Sequence, residues 1–539
     1  MTLSPRQELL QLQKKLFFRN KRQIEDSILV KEPAFDRYEA TYKRNVSKYQ
    51  KAVTPEKMIE AVLKADIIYV GDYHTCNQSQ RSFLRVLKLV SKETKSFVVG
   101  LELLHAKHQK VLDQYLAGKI SEALFLKKIK LQEHWVFDLW DSFKPLFDFC
   151  KYHNIPIKAI DAAKNGSSVQ KRDEATAKLL VDLMDQHPND KLFVFIGDLH
   201  IAPQHLPKDV KKILKAKKKN EKSDLILYQN SESIYWKLAE KGAYDRVEVV
   251  QINENSFCRM HTPPVVCQRS YINWLEHEEG EIDYADAKHS FIDLVQQICK
   301  FLNLSISEED LESVEIFTAG DLSFLKKLRA TKRFTKDEIE TIKEQILSSE
   351  SYYIAKARFV YLSNLSLNHA AEEASHCIKH ILSGDEEPRD LVDAFYANIL
   401  HEALGFFGSK IINHKRKCFH DHEFRELVQY FRSSEVPMNR ATEHEAAHYV
   451  VEYLNMEKKG QPLEFTELFR VRIDLFIAIT HAIGYILGDK LYYALMDKVL
   501  TKKQARELFV DAWKAEGRPV EVYFALKKKL QKVKIPKRL

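Results

Sequence analysis

Ile67-Ile68-Tyr69-Val70-Gly71-Asp72-Tyr73-His74 and Leu192-Phe193-Val194-Phe195-Ile196-Gly197-Asp198-Leu199-His200 repeat one pattern. In each, an unbroken apolar run ends in Gly-Asp-x-His. A run that is apolar at every position, rather than at alternate ones, marks a strand covered on both faces, as in the parallel sheets of α/β domains. Glycine lets the chain turn sharply as it leaves the sheet. A polar group just past the carboxyl end of such a strand stands where open α/β sheets bind ligands. Two histidines delivered in this way suggest one shared site.

Working outward, the sequence offers strands near 66–70, 97–102, 155–160, 192–196, 225–228 and 247–252. Long helical stretches separate the first four, as parallel crossovers require. The last strands lack a convincing crossover helix and fit an antiparallel edge. This predicts an α/β domain with a mainly parallel central sheet flanked by helices. The acidic, poorly periodic stretch Glu276-His277-Glu278-Glu279-Gly280-Glu281 marks a boundary near 280. Beyond it, apolar residues recur at helical spacing near 336–382, 389–413, 442–458 and 464–498, with Gly384, Gly460 and Pro462 as breakers. Thr335-Lys336-Asp337-Glu338 reads as a capping box. The expected organisation is a helical extension over 1–55, the α/β domain over 56–280 and an all-helical domain over 281–539.

Composition narrows the classes. A chain of 539 residues exceeds what one core accommodates, and a hydrophobic fraction of 45% is that of a folded protein. No apolar run is long enough to span a bilayer, and residues 1–22 lack the apolar segment of a secretory signal, so a cytoplasmic protein without a transmembrane segment is expected. The seven cysteines are scattered, with no Cys-x-x-Cys pair, which fits reduced thiols. Cys76, close to His74, reads as a small buried residue more readily than as a ligand. The net charge of +8 is concentrated in 208–222 and 527–538. Neither run interleaves aromatics, so both read as solvated helix faces and not as a specific nucleic-acid surface.

Four features converge on one edge of the expected sheet. His74 and His200 follow the first and fourth strands, Glu102 ends the second and Asp161 ends the third. With Asp72 and Asp198 they form a mixed nitrogen and oxygen set that suits Zn²⁺, Mn²⁺ or Fe²⁺ better than Ca²⁺. The same groups could move protons without a metal, and a bound divalent ion could activate water for hydrolysis. A carboxylate closing an apolar strand is costly unless paired, so Glu102 is expected to be paired or to be a ligand. Asp72 and Asp198 also read as caps for the segments that follow them.

The helical half holds a second candidate. In His444-Glu445-Ala446-Ala447-His448 the i, i+4 spacing puts both histidines on one helix face, with Glu445 available as a general base, the arrangement of a zincin peptidase; Glu467 would be a third ligand. A di-metal reading uses two Glu-x-x-His motifs, Glu373 to His376 and Glu445 to His448, with Glu402 and either Glu340 or Glu344 as the single glutamates. The plainer alternative is a helical scaffold that serves as a docking surface for another protein.

The run Tyr69 to His74 through Arg81, then Leu101-Glu102-Leu103-Leu104, Leu112-Asp113-Gln114-Tyr115-Leu116-Ala117-Gly118, Trp135 and Trp140, Phe143-Lys144-Pro145-Leu146 and Ile155-Pro156-Ile157, resembles the opening of the ChaN-like domain of the haem-binding-uptake and Tiki superfamily. Relatives in that superfamily include TraB/PrgY-like proteins and erythromycin esterases. The resemblance covers about residues 60–270. It implies two Gly-x-x-His motifs, a glutamate after the second strand and an arginine opening a helix, here Arg172 of Arg172-Asp173-Glu174-Ala175-Thr176-Ala177. It implies either haem binding linked to iron uptake, or metal-dependent hydrolysis of the protease or lactonase kind. On the haem reading His74, His200 and Arg172 would bind the group, with Tyr73 or Tyr271 as further axial candidates. On the hydrolytic reading His74 and His200 would hold a metal or shuttle protons, with Glu102 and Asp161 as metal ligands. Glu102 would otherwise be the base, and Arg172 would stabilise charge. The ligand in the crevice would be a small molecule or a peptide. The chain departs from ChaN in lacking a lipoprotein-type start and in carrying Asp72 where many relatives have Glu.

Overall fold

A computed structural model describes residues 3–27, 33–130, 139–163, 167–219, 222–278, 284–318, 323–347, 351–362, 366–384, 389–433, 440–458 and 472–536. The acidic stretch at 276–281 lies partly, and Trp135 wholly, outside them. The chain divides into two compact units, one within residues 13–281 and one of residues 1–12 with 282–536.

The first unit is an α/β fold, as the sequence predicts. Its eight strands are β1 (Lys51–Val53), β2 (Ile67–Asp72), β3 (Phe97–His105), β4 (Ile157–Asp161), β5 (Lys191–Gly197), β6 (Asp224–Gln229), β7 (Val249–Asn253) and β8 (Ser256–Arg259). They lie in the order β1-β7-β8-β6-β2-β5-β3-β4. All pairs from β8 to β4 are parallel, while β7 pairs antiparallel with β8 and with β1. The strands that are apolar at every position sit at the centre. β2 is buried along its whole length, because helices cover both of its faces. One covering helix, Asn77–Glu93, buries Phe83, Val86, Leu87 and Val90; Phe83 stacks on Phe195 of β5 with ring centroids 4.4 Å apart.

Two details depart from expectation. β3 runs on past Glu102 to His105, and its pairing with β4 loses register between Leu101 and His105. Glu102 is thus inside a strand whose regular pairing ends beside it. The segment before residue 55 also contributes more than a charged extension: helix Pro33–Asn45 brings Tyr38 and Tyr42 to the carboxyl edge of the sheet. The lysine-rich run after 205 forms helix Leu206–Ala216, which buries Leu206, Pro207, Val210 and Leu214 and turns its lysines outward.

The second unit is helical. Its core is built on Leu367–Ser383, Leu391–Ile412, Ala441–Lys458 and Ile473–Met496. Small residues let the helices approach. A methyl group at Gly484 would lie 2.4 Å from Glu402 Cβ and 2.8 Å from the Ile399 carbonyl; one at Gly488 would lie 2.5 Å from the Ala403 carbonyl. The Thr335–Glu338 capping box is present in both directions, at 2.8 and 3.2 Å. The helical pattern read over 336–382 is interrupted by β10 (Tyr352–Ile354) and β11 (Phe359–Leu362), which pair with each other; β11 also pairs with β9 (Glu315–Thr318). This three-stranded sheet is an addition to the expected helices. Its short aromatic strands are too brief for periodicity to separate them from helix.

Candidate functional site

The site begins with register. β2 and β5 are neighbours, and Asp72 lies opposite Gly197, so the two Gly-Asp-x-His motifs leave the sheet side by side. β3 flanks β5 with Leu101 opposite Phe195, which puts the next residue, Glu102, on the same edge. β4 ends at Asp161, and helix Val169–Gln186 then carries Arg172 and Asp173 near its start.

Glu102 is the hub. Its Oε1 accepts from Arg172 at 2.8 Å and its Oε2 accepts from the Gly197 backbone N–H at 2.7 Å. His74 Nε2 is 3.8 Å from Oε2, and His200 Nε2 is 3.8 Å from Oε1. Each imidazole is fixed from behind through its other nitrogen. His74 Nδ1 meets Asp72 Oδ2 at 2.8 Å, and His200 Nδ1 meets Asp173 Oδ1 at 2.6 Å. The two supporting carboxylates are themselves held: Gln80 donates to Asp72 at 2.6 Å, and Tyr38 donates to Asp173 at 2.7 Å. Such backing fixes ring orientation and tautomer. Asp161 stands 3.8 Å from Arg172.

Exposure sorts these groups into a floor and a rim. The side chains of Glu102 and His200 are 6% and 9% exposed, whereas those of His74 and Arg172 are 28% and 34% exposed. An incoming molecule meets His74, Arg172 and the 25% exposed Asp161, with the Glu102 carboxylate beneath them.

The electrostatics follow from this layout. Burial alone would push the Glu102 carboxyl up, but His200, His74, Arg172 and the Gly197 N–H together hold it below its ordinary value, so it is ionised. Burial likewise works against a charged His74, yet Asp72 and then Glu102 raise its affinity for a proton. Asp72 is pushed up by burial, against the pull of His74. Tyr73 is kept protonated by burial, its phenol well above the usual range, which disfavours the phenolate that a tyrosine ligand would supply.

The repeat in the sequence is not a repeat in the site. In the first motif, the motif's own aspartate holds the motif's own histidine. In the second, Asp198 turns to Tyr42, which donates to its Oδ2 at 2.9 Å, and its carboxyl is pushed up to about 7, chiefly by burial. The support for His200 comes instead from Asp173. Sequence reasoning passed over Asp173, Tyr38, Tyr42 and Gln80. Only Asp173 left a trace, as the neighbour of Arg172; the two tyrosines arrive from a segment far away in sequence.

The helical candidates are placed differently. His444 and His448 face each other on their helix, with Nε2 atoms 3.2 Å apart. Glu445 is turned to Arg472 at 3.2 Å, and Glu467 lies outside the described residues. Of the di-metal set, Glu373 and His376 are on helix Leu367–Ser383, and Glu402 pairs with His481 at 2.9 Å. Glu340 is exposed beside Lys343, and the Glu344 side chain is outside the described residues. Among the described residues, the trio of metal-type donors whose ligand atoms all lie within 4.8 Å of one another is Cys418, His420 and Asp489.

Residues 58–169 match the family model described as haem-binding uptake, Tiki superfamily, ChaN. The match bears out the ChaN-like reading of this stretch, which holds β2, β3, β4, His74, Glu102 and Asp161. A solved structure of ChaN of Campylobacter jejuni, described as showing cofacial haem binding, is 18% identical, with 34% of this chain and 88% of that chain covered and a TM-score of 0.27. No curated protein matches the chain. No helix among the described residues is long and apolar enough to cross a membrane.

Proposed function

We propose that the carboxyl edge of the α/β sheet binds haem, with His74 facing the iron and Arg172 taking a propionate. The observation that carries this reading is the division of exposure. His74, within the stretch that matches a haem-binding-uptake family, and Arg172, just beyond that stretch, are presented at the rim, with Asp161 beside Arg172. The donors suit the guest: an imidazole oriented by a carboxylate is a common iron ligand, and a guanidinium offers a planar fork that fits a carboxylate. When bound, haem supplies an iron centre that accepts a nitrogen ligand. What this chain's residues do is orient, neutralise and shield. Asp72 fixes the His74 ring, Glu102 fixes Arg172, and His200 stays on the floor with Asp173 and Tyr38.

The experiment is a haemin titration of the full chain followed in the Soret region. One equivalent is expected to bind, with a shifted band. His74→Ala is expected to change the band, and Arg172→Ala to weaken binding about tenfold, the worth of one charge-assisted hydrogen bond. Binding that ignores both substitutions overturns the reading.

A second reading, metal-dependent or metal-free hydrolysis, is favoured by one observation. Both Nε2 atoms address opposite oxygens of an ionised Glu102, an arrangement fit for passing protons. Its test is hydrolysis of simple chromogenic esters and lactones, with Glu102→Gln expected to abolish turnover.

A further inference from the structure

In the helical unit, the loop after helix Leu391–Ile412 returns as Cys418-Phe419-His420 and enters helix Asp421–Ser433. His420 Nε2 lies 3.0 Å from Asp489 Oδ2 and 3.7 Å from Cys418 Sγ. Asp489 is on helix Ile473–Met496 and is fully buried. We propose that Cys418, His420 and Asp489 form a site for a zinc-class divalent cation, distinct from the α/β edge and carried by the other unit.

Three physical points support the assignment. The first is spacing. Tetrahedral zinc bound by thiolate, imidazole and carboxylate sets its donor atoms roughly 3.3–3.7 Å apart. The two separations from His420, 3.0 and 3.7 Å, are near this spacing already, and all three ligand atoms fall within 4.8 Å of one another. The second is donor chemistry. One sulfur, one nitrogen and one oxygen make a borderline-soft set that suits zinc and cobalt and not calcium or magnesium. The third is support and charge. The second carboxylate oxygen of Asp489 is engaged by Lys410, which is also fully buried. That contact fixes the carboxylate and leaves Oδ2 turned to the loop, the kind of backing that metal-bound carboxylates receive. With a thiolate at Cys418, two negative charges stand against one lysine, so a dication is welcome. Cys418 and His420 are only partly buried, which gives the ion a way in and leaves a fourth position to water. Without a metal, the arrangement is held by the His420–Asp489 contact and by the Cys418 S–H donating to the Tyr485 carbonyl at 3.6 Å.

The test uses the full chain, stripped with chelator and dialysed against Zn²⁺ or Co²⁺. One equivalent of zinc is expected by elemental analysis, and the cobalt form is expected to show a thiolate-to-cobalt charge-transfer band with intense visible absorption. Cys418→Ser should abolish the charge-transfer band, and His420→Gln should release the metal. A His74→Ala/His200→Ala variant should retain both the zinc and the band, which separates this site from the α/β edge. Asp489 is left intact because its loss would strand Lys410. If a loop variant fails to fold, the cobalt spectrum of the unaltered chain decides whether a thiolate binds the ion. No metal uptake, cobalt bound without a thiolate band, or equal metal content in the loop variants overturns the proposal.

Discussion

The two units bury charge in opposite ways. In the α/β unit, topology does the gathering. Adjacent parallel strands end together, so His74, Glu102 and His200 reach one edge because β2, β5 and β3 are neighbours. The cost of burying Glu102 is offset by an arginine donor from a helix, a backbone N–H at the end of β5 and the charge of two imidazoles 3.8 Å away, and the result opens to solvent through His74 and Arg172. In the helical unit, charge is buried between helices at side-chain level. Lys410 and Asp489 are fully enclosed as a pair, and Arg416 is clamped by Glu372 at 2.7 Å and by the Tyr485 hydroxyl at 2.9 Å. A ligand site at a sheet edge is thus spread over several partial supports open to solvent, whereas a helix-packed charge rests on one enclosed salt bridge with hydrogen bonds beside it.

That contrast can be broken by substitution. The largest effect is expected for Lys410→Met, which removes the buried cation paired with the buried Asp489; a loss of about 3–5 kcal/mol in urea unfolding is expected. Next is Asp198→Asn. The Asp198 carboxyl titrates near 3.8 unfolded and about 7 folded. Its contribution is therefore fully present below the unfolded value and is lost as pH rises through about 7. The asparagine variant should match the parent at pH 4 and exceed it at pH 8, by up to about 4 kcal/mol. Identical pH profiles would show that Asp198 is not the strained member of the repeat. Arg172→Met should cost less, roughly 1–3 kcal/mol, because Gly197, His74 and His200 still face Glu102. A loss equal to that of Lys410→Met would erase the contrast. A loss of the same order is expected for Gly484→Ala, which forces a methyl group against Glu402 and the Ile399 carbonyl; overpacking of this kind costs about 1–3 kcal/mol and should lower Tm without altering haemin binding.

The same contrast explains what could be read from the sequence. Strand runs that are apolar at every position announce a buried parallel sheet, and a polar residue at the end of such a run announces its edge. His74, Glu102 and His200 were legible for that reason. Asp173 was not, because one aspartate in a charged helix has no pattern, and Tyr38 and Tyr42 act across a long sequence separation. The exchange of roles between Asp198 and Asp173 is invisible in a motif that repeats letter for letter. In the helical unit, spacing identified a facing histidine pair at His444 and His448, yet Glu445 turns to Arg472. Helical periodicity states which residues share a face; it is silent on which neighbouring helix that face meets, so Cys418, His420 and Asp489 carried no signal.

The most direct measurement is a haemin titration of three full-length proteins: the parent chain, His74→Ala and His448→Ala. Haem binding at His74 predicts a Soret band that is altered or lost in His74→Ala and unchanged in His448→Ala. A band that survives the first substitution unaltered, or that disappears with the second, contradicts it.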